Sequence, residues 1–136
     1  MSWTQSLIKL SGYNVEVLQK RLAEIVDRRA AAELRLLGLE EEGRIEAERA
    51  RSDAEAGWYH LGFIEGLRQR KDAIRAEIAA CLAEEEGARD ALAEAFEEQK
   101  KYEQVAENLR VTAQRETARR ETAALDELGL RRAAGR

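Results

Sequence analysis

The 136-residue sequence has no proline, one cysteine and one histidine, and only seven aromatic residues. Without proline, nothing forces a helix to stop, and nine glycines are too few for a loop-rich or all-β chain. The lone cysteine, Cys81, forms no internal disulfide, which fits a reducing cytosol. His60 has no second histidine or cysteine at ligand spacing, so no metal site is expected. There is no glycine-rich phosphate loop followed by Lys-Ser/Thr and no His-Glu-x-x-His. Carboxylates are plentiful, but thin helices offer no cleft in which to shift their acidity. The chain is therefore expected to be no enzyme, with no cofactor and no small-molecule substrate. Charges interrupt every apolar stretch well before the roughly 18 residues of a membrane span. Residues 1–15 lack the apolar core of a signal peptide.

What remains is alanine, glutamate, arginine and leucine, the composition of long helices. Charged residues make up 37% of the chain, and 24 alanines inflate an apolar fraction of 44%, so thin seams are expected rather than a thick interior. Residues 1–99 hold 14 Lys/Arg and 21 Asp/Glu, whereas residues 100–136 hold 9 and 6, so the chain is acidic first and basic last. Its tip carries Arg131, Arg132 and Arg136. Acidic residues interleaved along the same stretch argue against a dedicated nucleic-acid arm.

The dominant pattern runs from Leu67 to Leu130 in alternating steps of four and three: Leu67, Lys71, Ile74, Ile78, Cys81, Glu85, Ala88, Leu92, Ala95, Gln99, Tyr102, Ala106, Leu109, Ala113, Glu116, Arg120, Ala123, Glu127, Leu130. A 3.5-residue period keeps one seam on one side of a helix and favours a left-handed wrap around a second helix. The stretch reads as one helix of roughly 75 residues, about 110 Å long. Cys81 falls on this seam as a small buried hydrophobe. An earlier seam, Val15, Leu18, Leu22, Ile25, Arg29, Ala32, Leu36, Leu39, reaches Gly43 and Glu46 and fails there. Near the start, Trp3, Leu7, Leu10 and Tyr13 are expected to form a local face, after a cap at Ser2 or Thr4.

Residues 43–57 hold the expected turn, with Ser52 and Glu55 as a capping box for the second helix. The expected fold is all-α: a long antiparallel two-helix coiled-coil hairpin, helix 1 over about 4–49, a turn at 50–53, helix 2 over 54–130 and a flexible tail at 131–136. Helix 1 runs out beside residue 100 or so. Beyond it the second helix protrudes with no intramolecular mate, and an unpaired helix is marginal in water. That end is expected to enter a binding cavity or pair with another chain. Three aromatics, Trp58, Tyr59 and Phe63, sit within six positions beside Ile64 and Leu67. They read either as a plug tying down the bend or as a docking patch.

Several stretches carry a family resemblance. They are Leu7-Ile8-Lys9-Leu10; Trp58-Tyr59 with Phe63-Ile64 and Leu67; Lys100-Lys101-Tyr102-Glu103 with Arg110, Arg115 and Glu116; and Leu125-Asp126-Glu127-Leu128 with Arg131. In their order and spacing the chain resembles the FliJ family of the bacterial flagellar type III export apparatus. The resemblance implies a stalk or adaptor that binds the pore of the hexameric export ATPase, FliI, and promotes its assembly. It implies coupling of that ring to the export gate protein, FlhA, and escort of export chaperones. By resemblance, Phe63, Leu67 and Ile74 belong to the gate-binding surface. Lys100, Lys101, Tyr102, Arg110, Arg115, Asp126, Glu127, Arg131 and Arg132 belong to the end that meets the ATPase. A cytoplasmic place, peripheral at the inner-membrane base of the flagellum, follows from the same resemblance. The stalk protein of virulence-type secretion systems, a structural coiled-coil dimer and a nucleic-acid-binding helix stay open as alternatives. The dimer predicts stable self-association, and the nucleic-acid reading predicts strongly salt-dependent binding.

Overall fold

The structure, a computed structural model, describes residues 2–135, apart from the side chains of residues 54 and 56. Arg136 of the expected basic tip lies outside the described residues. Two helices account for nearly all of it: α1, Trp3–Ser52, and α2, Ala54–Ala134. They pack against each other, and the chain divides into two compact units. One holds residues 16–93; the other joins residues up to Val15 with those from Glu94 on.

In the unit of residues 16–93, the two helices run antiparallel. Arg29 meets Glu85 at 2.7 Å, Arg35 meets Glu77 at 2.7 Å, and Glu42 meets Arg70 at 3.8 Å. Each pair lies symmetrically about residues 56–57. The buried side chains are Ile25, Ala32 and Leu39 from α1 and Leu67, Cys81, Glu85 and Ala88 from α2. Leu18, Leu22, Arg29 and Leu36 fill the steps between them on α1 as half-buried residues, and Ile74, Ile78 and Leu92 do so on α2. Inward positions thus recur in steps of three and four, as the periodicity requires.

The rhythm does not fail at Gly43. Gly43, Glu46 and Ala50 stay half-buried and in phase. A Cβ at Gly43 would stand 2.7 Å from Leu67 Cδ2, so the missing side chain is a notch that Leu67 fills. The expected four-residue turn is also shorter, because α1 continues through Ser52 and only Asp53 separates the helices. No proline or left-handed glycine ends α1, and no residue among those described has a positive φ. The cap differs too. Asp53 Oδ1 accepts from the Glu55 N–H at 3.0 Å, while Ser52 Oγ turns back to donate to the Arg49 carbonyl at 3.1 Å. Asp53 is the acceptor at the start of α2, with acidic Glu55 in its first turn.

The second unit is thinner. Ser2 and Gln5 open α1 with a reciprocal cap: the Gln5 N–H donates to Ser2 Oγ at 3.3 Å, and the Ser2 N–H to Gln5 Oε1 at 3.2 Å. Of the face expected from Trp3, Leu7, Leu10 and Tyr13, Leu7 is half-buried and the other three point outward, each more than 60% exposed. Thr4, Ser11 and Val15 are buried instead, with Ala95 from α2. Phase explains this, because counting back from Val15 in steps of four and three lands on Ser11, Ile8 and Thr4. Small hydroxyl residues let the helices approach, and Ser11 Oγ is satisfied by donating to the Ile8 carbonyl at 2.9 Å. A Cβ on Gly12 would meet the Gln99 amide at 3.4 Å.

The first turn of α1 shares a groove with Glu103 to Arg110. Helix 1 therefore covers α2 to about residue 110, ten residues further than expected. From residue 112 to 135 every described residue except Glu116 is exposed. Residues 131–134, expected as flexible tail, are helical. Arg131 pairs with Glu127 at 3.0 Å, and Arg131 and Arg132 suit the negative end of the helix dipole.

Candidate functional site

Two exposed surfaces and one buried ionic cluster stand out. The first surface lies just after the bend, on residues 58–64, within a nine-residue stretch of the sequence without charge (56–64) in a chain that is 37% charged. Trp58 is 81% exposed, Tyr59 73%, Leu61 79% and Ile64 43%. The residues expected to face the gate behave differently. Leu67 is buried in the seam against Gly43, and Phe63 and Ile74 are half-buried. Ile74 borders a side groove with Gly38, Leu39 and Arg70. The plug and the patch are thus divided by helix face: Phe63 and Leu67 turn inward, Trp58 and Leu61 outward. His60 Nδ1 is buried without a hydrogen-bond partner. Among the described residues no group of histidine, cysteine or carboxylate side chains could hold a metal ion.

The ionic cluster sits in the seam of residues 16–93. Glu85 is the largest fully buried side chain there. Its carboxylate takes Arg29 from the facing helix at 2.7 Å and Arg89 from its own at 2.5 Å, while Arg29 also holds Glu33 at 2.9 Å. The hydrogen bond from Arg29 holds the Glu85 carboxyl below its ordinary range, outweighing burial, which pushes the other way. Arg29 is raised in turn, first by Glu85 and then by Glu33. A charged pair at an inward position fixes which residues face each other, because a slip of either helix would strand both charges. The outer pairs, Arg28 with Glu84 and Arg35 with Glu77, repeat the same register at the surface.

The second surface is the end of α2. Lys100, Lys101, Arg110, Arg115, Asp126, Glu127, Arg131 and Arg132 are all exposed, and Tyr102 is half-buried. The Tyr102 hydroxyl donates to Glu98 at 2.7 Å, which raises its pKa. Arg110 pairs with Glu107 at 2.6 Å, and Arg119 and Arg120 share Glu116 at 2.7 and 3.2 Å. These residues do not converge. They are strung over about 48 Å of helix from Lys100 to Arg132. Such a row suits a long contact with another protein and no chemistry on a small molecule. Sequence reasoning missed Thr4, Ser11 and Gly43 as packing positions, and their phase relative to Val15 and Leu39 was the available signal.

A two-helix chain with a buried ionic register, no metal cluster among the described residues and a long uncovered helix end defines a class, the helical adaptor that works through its faces. The flagellar FliJ protein family matches residues 4–136. Flagellar FliJ proteins of two Caulobacter vibrioides strains, NA1000/CB15N and ATCC 19089/CB 15, are each 50% identical over 132 residues. Each match covers 97% of this chain and 95% of the relative. No solved structure matches. The chain belongs to the FliJ family and is a component of the flagellar export apparatus. Of the two kinds of secretion system left open by the sequence, the family match is to the flagellar one. The family is one of non-enzymatic structural and adaptor proteins. No described helix is long and apolar enough to cross a membrane.

Proposed function

We propose that this chain is the stalk of the flagellar export ATPase. Its α2 end, from Lys100 through Arg132, enters the pore of the hexameric ATPase FliI and promotes assembly of the ring. The observation that carries this reading is the stretch of α2 beyond Val111, which is helical, exposed but for Glu116, and not covered by α1. A two-dozen-residue helix left uncovered is stabilised by whatever encloses it. Lys100, Lys101, Arg110, Arg115, Asp126, Glu127, Arg131 and Arg132 would form the polar contacts, with Tyr102, the last aromatic residue of the sequence, among them.

The bend region couples that ring to the export gate protein, FlhA. Phe63 and Ile74 are accessible at the seam's edge, and Leu67 positions them by locking α2 onto Gly43. Escort of export chaperones fits the same adaptor role. The place of action is cytoplasmic and peripheral, at the inner-membrane base of the flagellum. The step-of-three-and-four seam is that of a left-handed coiled coil.

The test is ATP hydrolysis by FliI with the full chain and with a chain ending at Arg110. The full chain stimulates hydrolysis and hexamer formation, whereas the shortened one keeps its helical signal per residue and loses both. Equal stimulation by the shortened chain sinks the stalk reading.

A further inference from the structure

We propose that α2 pairs with a second copy of this chain through residues 113–130, the two helices antiparallel about a two-fold axis at the Ala123-Ala124 pair. Half of the required ionic network is already assembled. In residues 16–93 the two helices are registered by a row of four side chains, Arg89–Glu85–Arg29–Glu33, in which only the central bond crosses between helices. The end of α2 carries the two outer halves of such a row. Arg120 Nε holds Glu116 at 3.2 Å, and Arg131 holds Glu127 at 3.0 Å. What is missing is a cross-helix bond between Arg120 and a carboxylate.

The spacing supplies it from an identical chain. Arg120 and Glu127 stand equally far on either side of the Ala123-Ala124 pair, and so do Glu116 and Arg131. Two copies centred on those alanines and running opposite ways set Arg120 against the partner's Glu127, twice. They also set Glu116 near the partner's Arg131, twice. Two copies running the same way set arginine on arginine and glutamate on glutamate, so the charges specify the antiparallel arrangement. Alanines at the centre permit close approach. Ala113, Glu116, Arg120, Ala123, Glu127 and Leu130 keep the three-and-four spacing of the seam, and all but Glu116 are exposed in the single chain. Because this pairing covers the residues proposed to meet the ATPase, the two associations exclude each other. The dimer is a resting form that docking dissolves by mass action.

The test needs no ATPase. Sedimentation equilibrium of the full-length chain at low salt reports a concentration-dependent dimer that weakens as salt rises. Arg120→Glu raises its dissociation constant at least about tenfold, since two attractions become two repulsions. Adding Glu127→Arg to Arg120→Glu brings it back to within about threefold of the parent. The double variant restores only the bond between chains, because within each helix both substitutions oppose their neighbours Glu116 and Arg131. Circular dichroism confirms that the helices survive. In a Cys81→Ala background, Ala123→Cys cross-links to itself with a short bis-maleimide, while Gln114→Cys, on the opposite side of α2, does not. A chain monomeric at every concentration, a double variant as weak as the single one, or cross-linking equal at the two positions overturns the proposal.

Discussion

Residues 16–93 and residues 111–134 use the same alphabet of alanine, leucine, arginine and glutamate, and they differ in what stands across from them. In the first region α1 faces α2, and its ion pairs cross the seam: Arg29 with Glu85, Arg35 with Glu77, Glu42 with Arg70. In the second, every ion pair found joins residues of one helix three or four apart: Arg119 and Arg120 with Glu116, Arg131 with Glu127. Local pairs support a helix but say nothing about its neighbour. Cross-helix pairs need a partner and then dictate register. The lesson is that composition and propensity build both helices, while burial separates structure from interaction surface. A leucine on the seam, such as Leu39 or Leu67, holds the fold together, and a leucine in the uncovered region is available for contact.

The sharpest break of this comparison is one substitution made in both regions. Leu67→Ala removes a buried side chain that fills the Gly43 notch, and it is expected to cost about 2–5 kcal/mol. Leu128→Ala touches a side chain 49% exposed and is expected to stay within about 0.5 kcal/mol. Thermal melts followed by circular dichroism read both. A Leu67→Ala chain that melts with the parent would show that the seam of residues 16–93 does not hold the hairpin.

Overpacking gives the next largest effect. Ala32 is fully buried, so Ala32→Leu must push the helices apart, at about 1–3 kcal/mol. Ala118→Leu meets open solvent and leaves the melt in place. If Ala32→Leu stabilises instead, the helices are not in close contact at that level.

How much of this was legible beforehand follows the same division. Where a partner helix enforces the phase, the sequence alone places the residues: Val15 to Leu39 on α1 and Leu67 to Ala106 on α2 turn inward as their spacing requires. Hydrophobicity misled at the start of α1, because it favours Trp3, Leu10 and Tyr13 over Thr4 and Ser11. Closely packed helices select for small size at such positions, and a satisfied hydroxyl is small enough. The seam is expected to fail at Gly43 because a glycine offers no apolar side chain to continue the pattern, whereas the structure fills its space with Leu67. Beyond Ala106 the spacing continues on paper, yet Leu109 at the edge of the first turn of α1 is exposed, and so are Arg120 and Leu130, which have no helix there to bury them. The interaction residues came from resemblance. The geometry adds that Leu67 is a packing residue and that the charged residues from Lys100 to Arg132 form a row. Counting back from Leu67 in steps of four and three lands on Phe63 and His60, both half-buried, and leaves Trp58 and Leu61 on the outer side, so the phase carried this division too.

Acid separates the regions through charge. Glu85 is held below the ordinary carboxylate value of 4.5 chiefly by its hydrogen bond from Arg29. A depressed native pKa means that the folded state binds the proton less tightly than the unfolded chain. The stabilisation is therefore complete above about pH 4.5 and fades as pH falls through the lower folded value. Glu85→Gln should flatten the melting temperature against pH over that acid window. Glu107 is also lowered, by Arg110 on its own helix, but Glu107→Gln changes no contact between α1 and α2 in residues 16–93 and should leave their pH profile alone. A profile unchanged by Glu85→Gln would mean that the seam pair does not contribute to register stability.

The smallest effect tests whether the uncovered end shares in the stability of the rest. Gly66 and Gly129 are both helical, and a Cβ on either meets nothing within 4 Å. Alanine at each should gain helix propensity, at most about 1 kcal/mol. At Gly66 the gain strengthens a helix whose unfolding also opens the seam, so the melting temperature should rise. At Gly129 it strengthens a helix end that can fray while the seam stays closed, so ellipticity at low temperature should rise with the melting temperature unchanged. Gly43→Ala gives the contrast, because its propensity gain is offset by the push against Leu67. An equal rise in melting temperature from Gly66→Ala and Gly129→Ala would show that the end of α2 unfolds together with the seam. Something would then have to hold that end, and pairing with a second copy of the chain would be the first candidate.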